Sequence, residues 1–264
     1  SGEMLYTSKT METFETIVKK SWGYNQRDYQ SDYRWRLLKE LYVLNFMYDM
    51  GRAYDTLPKK IHQIWLGGIV PDTYKTWMNS WKLFNSNWEY KLWTDTDVND
   101  VLIPNRTLFN SIKNMGQKSD YLRYHILYQY GGLYVDTDFE CLKSFDSLSY
   151  ANFITGVGYP SKVELYIGLM ASVSNHPILK RMLNAMDKAN MKDIFNSTGT
   201  YLFTKVFFEE VKEYKKGILV LPTDYFYPFP NHKDHHLENG RDYIKECSYA
   251  VHHWAVSWCK HKKN

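Results

Sequence analysis

Ser119-Asp120-Tyr121-Leu122-Arg123-Tyr124-His125-Ile126-Leu127-Tyr128-Gln129-Tyr130-Gly131-Gly132-Leu133-Tyr134-Val135-Asp136-Thr137-Asp138 decides the reading of this 264-residue chain. Leu122, Ile126, Leu127 and Tyr130 recur at helical spacing behind Ser119, a residue type that caps helices. Gly131-Gly132 stops that helix, because glycine accepts the left-handed backbone of a helix end. Leu133-Tyr134-Val135 is apolar and β-prone, so it predicts a short buried strand running into Asp136-Thr137-Asp138. Residues two apart on a strand share a face, with Cα atoms roughly 6.5–7 Å apart. Both carboxylates reach one ion at about 2.1 Å only if they lean together or a turn intervenes. Unequal roles are therefore expected, one carboxylate on a divalent metal and the other on a hydroxyl or water. Upstream, Asp120 and Arg123 share a helix face, about 5–6 Å apart between Cβ atoms. An acid and a guanidinium beside a metal suit a polyhydroxylated, phosphate-bearing ligand. A lone Asp-x-Asp is usually a polar turn; the ordered block is what singles out this stretch.

Elsewhere the chain reads as one α/β domain with a helical annex. Hydrophobic residues make up 44%, enough for a core. The net charge of +4 fits an anionic small ligand or a membrane surface and is too weak to argue for nucleic acid. Cys141, Cys247 and Cys259 lack metal spacing, which predicts free thiols and a reducing, cytoplasmic setting. No apolar run approaches the ~18 residues of a membrane span, and no leader is visible.

Residues 1–55 read as the annex and 56–264 as the main domain. Residues 10–20 predict one helix, and Ser31-Asp32 caps a second with Leu37, Leu38, Leu41, Leu44, Phe46 and Met47 as its apolar face. Packing on the main domain is the simpler role. Lys19, Lys20, Arg34, Arg36 and Lys39 among aromatics make contact with a membrane surface or a partner the alternative. Ile61 to Leu66 predicts a strand ending at Gly67-Gly68, Tyr74 to Phe84 a helix with Trp77, Trp81 and Phe84 on one face, and Trp88 to Trp93 a second strand. Asp95-Thr96-Asp97 reads as a turn and helix cap. Later, a strand is expected around Leu142-Lys143-Ser144-Phe145, then strands at 153–157, 165–170 and 218–221, with helices after His176-Pro177 and after Ser197-Thr198-Gly199. His176 is a capping residue in this reading. His232, His235 and His236 lie in a polar loop that lacks strand support for a metal site.

The block Ser119-Asp120-x-x-Arg123, Tyr130-Gly131-Gly132-x-Tyr134-x-Asp136-x-Asp138 resembles glycosyltransferases with the DXD sugar-binding region (family 32 and, more distantly, the glucosyltransferase domains of large clostridial toxins). Leu57-Pro58-Lys59-Lys60-Ile61-His62-Gln63-Ile64-Trp65-Leu66-Gly67 is similar to the family's first strand, and His252-x-Trp254-x-x-Ser257-Trp258 to its C-terminal pattern. The likeness runs over about residues 57 to 258. One departure is Gly199-Thr200, where the family has Gly-Pro, which leaves an acceptor role for that loop open.

The resemblance implies a GT-A fold, Rossmann-like with a mostly parallel central sheet and flanking helices. It implies a retaining hexosyl transfer from a nucleotide diphosphate sugar, UDP-hexose first and GDP-mannose second, to a glycan or other hydroxyl acceptor, as in polysaccharide biosynthesis. It implies Mn²⁺ or Mg²⁺ on Asp136, Asp138 and His252, with His253 as fallback. Asp120, Arg123, Asp136 and Asp138 would carry catalysis. Ile64, Trp65, Leu66, Asp120, Arg123, Tyr134, Asp136, Ser257 and Trp258 would bind the donor, with Trp65 at the base and Tyr134 or Ser257 at the phosphate end. Asp95 retains a minor claim on the nucleotide. Paired aspartates also serve metal-dependent nucleotidyl or phosphoryl transfer, and a carbohydrate-binding protein without turnover is a third reading.

Overall fold

The computed structural model describes residues 12–47, 56–231 and 240–255. Three helices come first: α1 (Phe14–Lys20), capped by the Thr13 hydroxyl, α2 (Gln26–Ser31), capped by Asn25, and α3 (Arg34–Tyr42), which tightens into a π-helical turn at Val43–Met47. Helix α2 buries none of its residues, so it left no apolar period in the sequence. On α3 the buried residues are Trp35, Leu38, Leu41 and Tyr42, while Leu44 of the expected apolar face is 49% exposed.

The main domain follows with β1 (Lys60–Ile64), α4 (Asp72–Phe84), β2 (Glu89–Trp93), α5 (Arg106–Ser111), α6 (Met115–Tyr130), β3 (Gly132–Val135) and β4 (Phe139–Cys141). After these come β5 (Phe153–Val157), β6 (Leu165–Ser172), α7 (Pro177–Lys188), α8 (Ile194–Ser197), α9 (Thr200–Glu210), β7 (Ile218–Leu221), α10 (Thr223–Phe226) and β8 (Ala250–His252). Among the described residues, six strands form a sheet in the order β2-β1-β3-β6-β5-β7. Strand β1 is parallel to β2 and β3, β5 is parallel to β7, and β6 alone opposes the others. The sheet is thus mostly parallel, and β3, β5 and β7 are buried along their whole length, as continuous apolar strands in a covered sheet should be. Strands β4 and β8 form a separate antiparallel ladder.

The decisive helix starts at Met115, with Asn114 as its cap, rather than at Ser119, which lies inside it. Gly131 ends it at φ 66°, and Gly132 follows at φ 111° with the Lys60 carbonyl standing where a Cβ would point. That bare α-carbon is what lets β3 lie beside β1. The strand expected around 142–145 falls earlier, at β4, because its partner β8 is far off in sequence. On α4 the buried row is Tyr74, Met78 and Trp81, and Phe84 is exposed.

The annex packs on the β7 side of the sheet. Asn45 donates to the carbonyls of Lys215 and Ile218, the Ser21 hydroxyl donates to Asp224 at 2.7 Å, and the Trp22 indole donates to the Tyr227 carbonyl at 3.3 Å. Most annex cations face acids: Lys19 meets Glu15 at 3.1 Å, Lys20 meets Glu12 at 2.9 Å and Arg34 meets Asp32 at 2.6 Å. Cys141 and Cys247 are unbridged, and no helix among the described residues is long and apolar enough to cross a membrane.

Three histidines are sealed in this framework. His62 accepts from the Trp93 indole at Nδ1 (3.2 Å), so its Nε2–H donates to the Gly131 carbonyl (2.8 Å). His176 caps α7 by accepting from the Ile178 N–H, as expected, and His125 lies against Tyr121. Burial pushes all three down from 6.5 to about 4. Each folded value lies below the unfolded one, so the neutral ring's stabilisation is complete above pH 6.5 and is lost as pH falls toward 4, by up to about 3 kcal/mol per ring. Urea midpoints should therefore fall steeply between pH 7 and pH 4, and His62→Gln should shrink that fall.

Candidate functional site

Strand β3 delivers Asp136 at its carboxyl end, where the Asp136 N–H donates to the Gly168 carbonyl of β6 at 2.7 Å. A turn through Thr137 then brings round Asp138, and β4 begins. The β4–β8 register sets Phe139 opposite His252, which places the imidazole beside Asp138, with Nε2 at 3.0 Å from Oδ1. The chain after β8 curls around Asp138: the His253 N–H donates to its carbonyl (2.9 Å) and the Ala255 N–H to Oδ2 (3.0 Å). Trp254 makes that curl possible by taking φ 54°, an uncommon backbone for a bulky residue. One ligand atom each from Asp136, Asp138 and His252 lies within 4.8 Å of the others, and among the described residues this is the one such group.

Arg123 stands beneath these carboxylates with only 4% of its side chain exposed. Its NH2 group reaches Asp120 Oδ1 at 2.8 Å and Asp136 Oδ1 at 3.2 Å, and NH1 donates to the Ile167 carbonyl at 2.6 Å. The guanidinium also lies 4.4 Å over the Tyr134 ring, whose hydroxyl donates to Asp136 Oδ1 at 2.7 Å. Tyr134 thus braces Asp136 and Arg123 from within the core instead of facing a phosphate. Thr198 reaches the second oxygen of Asp120 at 3.3 Å.

Burial raises Asp120 to about 7, against the pull of Arg123. Asp136 is also held above the usual carboxylate range, by burial and by Asp138, while Arg123 opposes the shift. Burial would raise Asp138, but His252 and the Ala255 N–H together hold it below that range. Burial would lower Arg123, but Asp136, Tyr134 and Asp120 keep it above its ordinary value, so it remains a cation. Two crowded carboxylates and a half-buried imidazole whose buried Nδ1 has no partner leave a negative, oxygen-rich cluster suited to a divalent cation.

Trp65 is half-buried with Tyr74 edge-on at 4.9 Å, Leu66 is half-buried, and the side chain of Ile64 belongs to the core. Gly67 and Gly68 form an exposed lip, and the Gly67 N–H donates to Asp95 at 3.0 Å. Asp97 closes its own turn on Thr94. His253 turns away, pairing with Glu140 at 3.0 Å and stacking on Trp77 at 4.3 Å, so it is no substitute ligand. Ser257, Trp258, His232, His235 and His236 lie outside the described residues. Sequence reasoning missed Gln63, whose amide donates to the Asp136 carbonyl, and Thr198. It also missed Gly168, where a Cβ would sit 3.0 Å from Asp136 Oδ2. A glycine inside an apolar strand was the available signal for the last.

Residues 71–154 match a family described as glycosyltransferase sugar-binding region containing DXD motif. The chain is 27% identical over 225 residues to an uncharacterized glycosyltransferase of Acanthamoeba polyphaga mimivirus, covering 78% of this chain and 86% of that one. It is 28% identical over 195 residues to inositol phosphoceramide mannosyltransferase 1 of Schizosaccharomyces pombe, covering 67% of this chain and 59% of that relative's length. Among solved structures, the PaToxG glycosyltransferase shares the fold at a TM-score of 0.52 and 17% identity, over 59% of this chain and 70% of that one.

Removing the buried cation would strand two acids. Arg123→Ala is expected to destabilise the protein by about 3–5 kcal/mol in urea unfolding. Adding Asp120→Asn should recover part of that loss, because the two changes share a partner.

Proposed function

We propose that this chain, a glycosyltransferase of the GT-A type carrying the DXD sugar-binding region, moves a hexose from a nucleotide diphosphate sugar to a hydroxyl acceptor with retention of configuration. The convergence of Asp136, Asp138 and His252 within 4.8 Å carries this reading. Those three would hold a divalent cation, and their mixed oxygen and nitrogen donors favour Mn²⁺ over Mg²⁺. Bound there, the cation supplies charge neutralisation for the departing diphosphate.

The chain's own groups do the rest. Arg123 and Tyr134 fix Asp136 through Oδ1. The Ala255 N–H and His252 orient Asp138. Asp120, held by Arg123 and Thr198, would meet hydroxyls of the donor sugar. Trp65 and the Gly67-Gly68 lip offer a surface for the base. In the transfer, the bond from C1 to the diphosphate oxygen breaks while the acceptor oxygen bonds C1 on the same face. The acceptor's proton passes to the departing diphosphate. Asp120, Asp136 and Asp138 are each engaged by protein partners, which supports this front-face route over a carboxylate nucleophile; a trapped covalent glycosyl adduct would overturn it.

UDP-hexose is the first donor to test. The mannosyl activity in the yeast relative's name makes GDP-mannose the second. With UDP-glucose, UDP-galactose and GDP-mannose plus Mn²⁺, release of nucleoside diphosphate from one donor is expected, and chelation should abolish it. Asp138→Asn should lower that rate by about 10²-fold or more, and an unchanged rate would refute the metal assignment. Gly168→Ala, whose Cβ would press on Asp136 Oδ2, should raise the Mn²⁺ concentration needed for half-maximal turnover.

A further inference from the structure

The catalytic cluster sits at one end of a row of aromatic rings that the chemistry above does not use. Trp254 meets His252 edge-on at 4.2 Å. Tyr166 lies 5.9 Å from Trp254, Tyr159 lies 5.7 Å from Tyr166, and Trp22 of the annex lies 5.4 Å from Tyr159, each contact edge-to-face. All four rings keep part of their surface in solvent, whereas core rings such as Trp35, Trp81 and Tyr121 are sealed.

Two backbone features hold this row in place. The Tyr166 ring occupies the space where a Cβ on Gly158 would be, so it lies against bare main chain. Trp254 keeps its uncommon φ of 54° while its indole donates to the Phe229 carbonyl at 3.0 Å. Uncommon backbone held by its surroundings is concentrated where a side chain must be presented. Polar partners flank the row: Lys162 stands 5.1 Å over Tyr159 and pairs with Glu164 at 3.1 Å.

We propose that Trp254, Tyr166, Tyr159 and Trp22 form an acceptor track for an oligosaccharide chain, resting on the glycosyl-transfer reading and naming its acceptor class. Pyranose rings offer apolar C–H faces to aromatic surfaces and hydroxyls to the Lys162–Glu164 pair, the combination of apolar wall and few polar groups that small-molecule sites use. The reducing or non-reducing end that reacts lies at Trp254, beside the cation ligands, and the remaining sugars extend toward Trp22. The annex thereby contributes one wall of the acceptor site.

Transfer is measured with mannose, glucose and their α-linked di-, tri- and tetrasaccharides as acceptors. The unaltered protein should show kcat/KM rising with acceptor length. Tyr159→Ala should remove most of that rise, about tenfold at the tetrasaccharide, while Tyr159→Phe should retain it. A flat length profile, a rise that survives Tyr159→Ala, or a preference for the octyl glycoside of a single hexose overturns the track. Tryptophan-fluorescence titration of the unaltered protein with the same saccharides gives a second readout independent of turnover and of how the variant folds. Affinity that tightens with length supports the track, and equal affinities remove it. Absence of turnover with every nucleotide sugar would fail the transfer reading instead, leaving the titration to decide the track.

Discussion

The placement of Arg123 is the constraint on which the site depends. An arginine side chain that is only 4% exposed cannot remain charged without partners, and Asp120 and Asp136 are those partners. Their geometry follows from two elements: α6 carries Asp120 and Arg123 three residues apart on one face, and β3 carries Tyr134 and delivers Asp136 just past its end. The Gly131-Gly132 junction sets the distance between them. Because β3 pairs with β1 across the bare Gly132, helix and strand meet at a spacing that no bulkier residue permits. Electrostatics and backbone geometry thus impose one arrangement on this block.

That dependence explains what could be read from the chain before its structure. The end of the helix, the glycine pair, the strand and the carboxylates of the central block lie within twenty consecutive residues, so spacing conveyed their order, while the true start of the helix at Met115 lay outside that window. The strands at 153–157 and 218–221 are continuous apolar runs and were equally legible. Strand β4 was misplaced because three residues carry too little pattern and its partner lies more than a hundred positions away. Helix α2 was invisible because it buries nothing.

Within the site, the resemblance pointed to Asp136, Asp138 and His252, which the fold brings together, and the supporting contacts were not legible. Tyr134 looked like a ligand-facing residue, but its hydroxyl is consumed by Asp136. Two adjacent histidines were indistinguishable by type. Strand alternation separates them, sending His252 to Asp138 and His253 to Glu140. Gln63, Thr198 and Gly168 act through contacts across strands and loops, which have no sequence period.

The short β4–β8 ladder has a consequence for how the protein comes into being. During synthesis the large sheet can close once β7 has emerged, while Asp136 and Asp138 still await their imidazole partner some thirty positions later. A nascent chain at that stage holds two neighbouring carboxylates over one guanidinium, with nothing yet curled around Asp138. The His252 imidazole arrives only when three residues of β8 pair with β4. Closure of the Asp136–Asp138–His252 cluster therefore waits on a ladder whose second strand comes late in the chain.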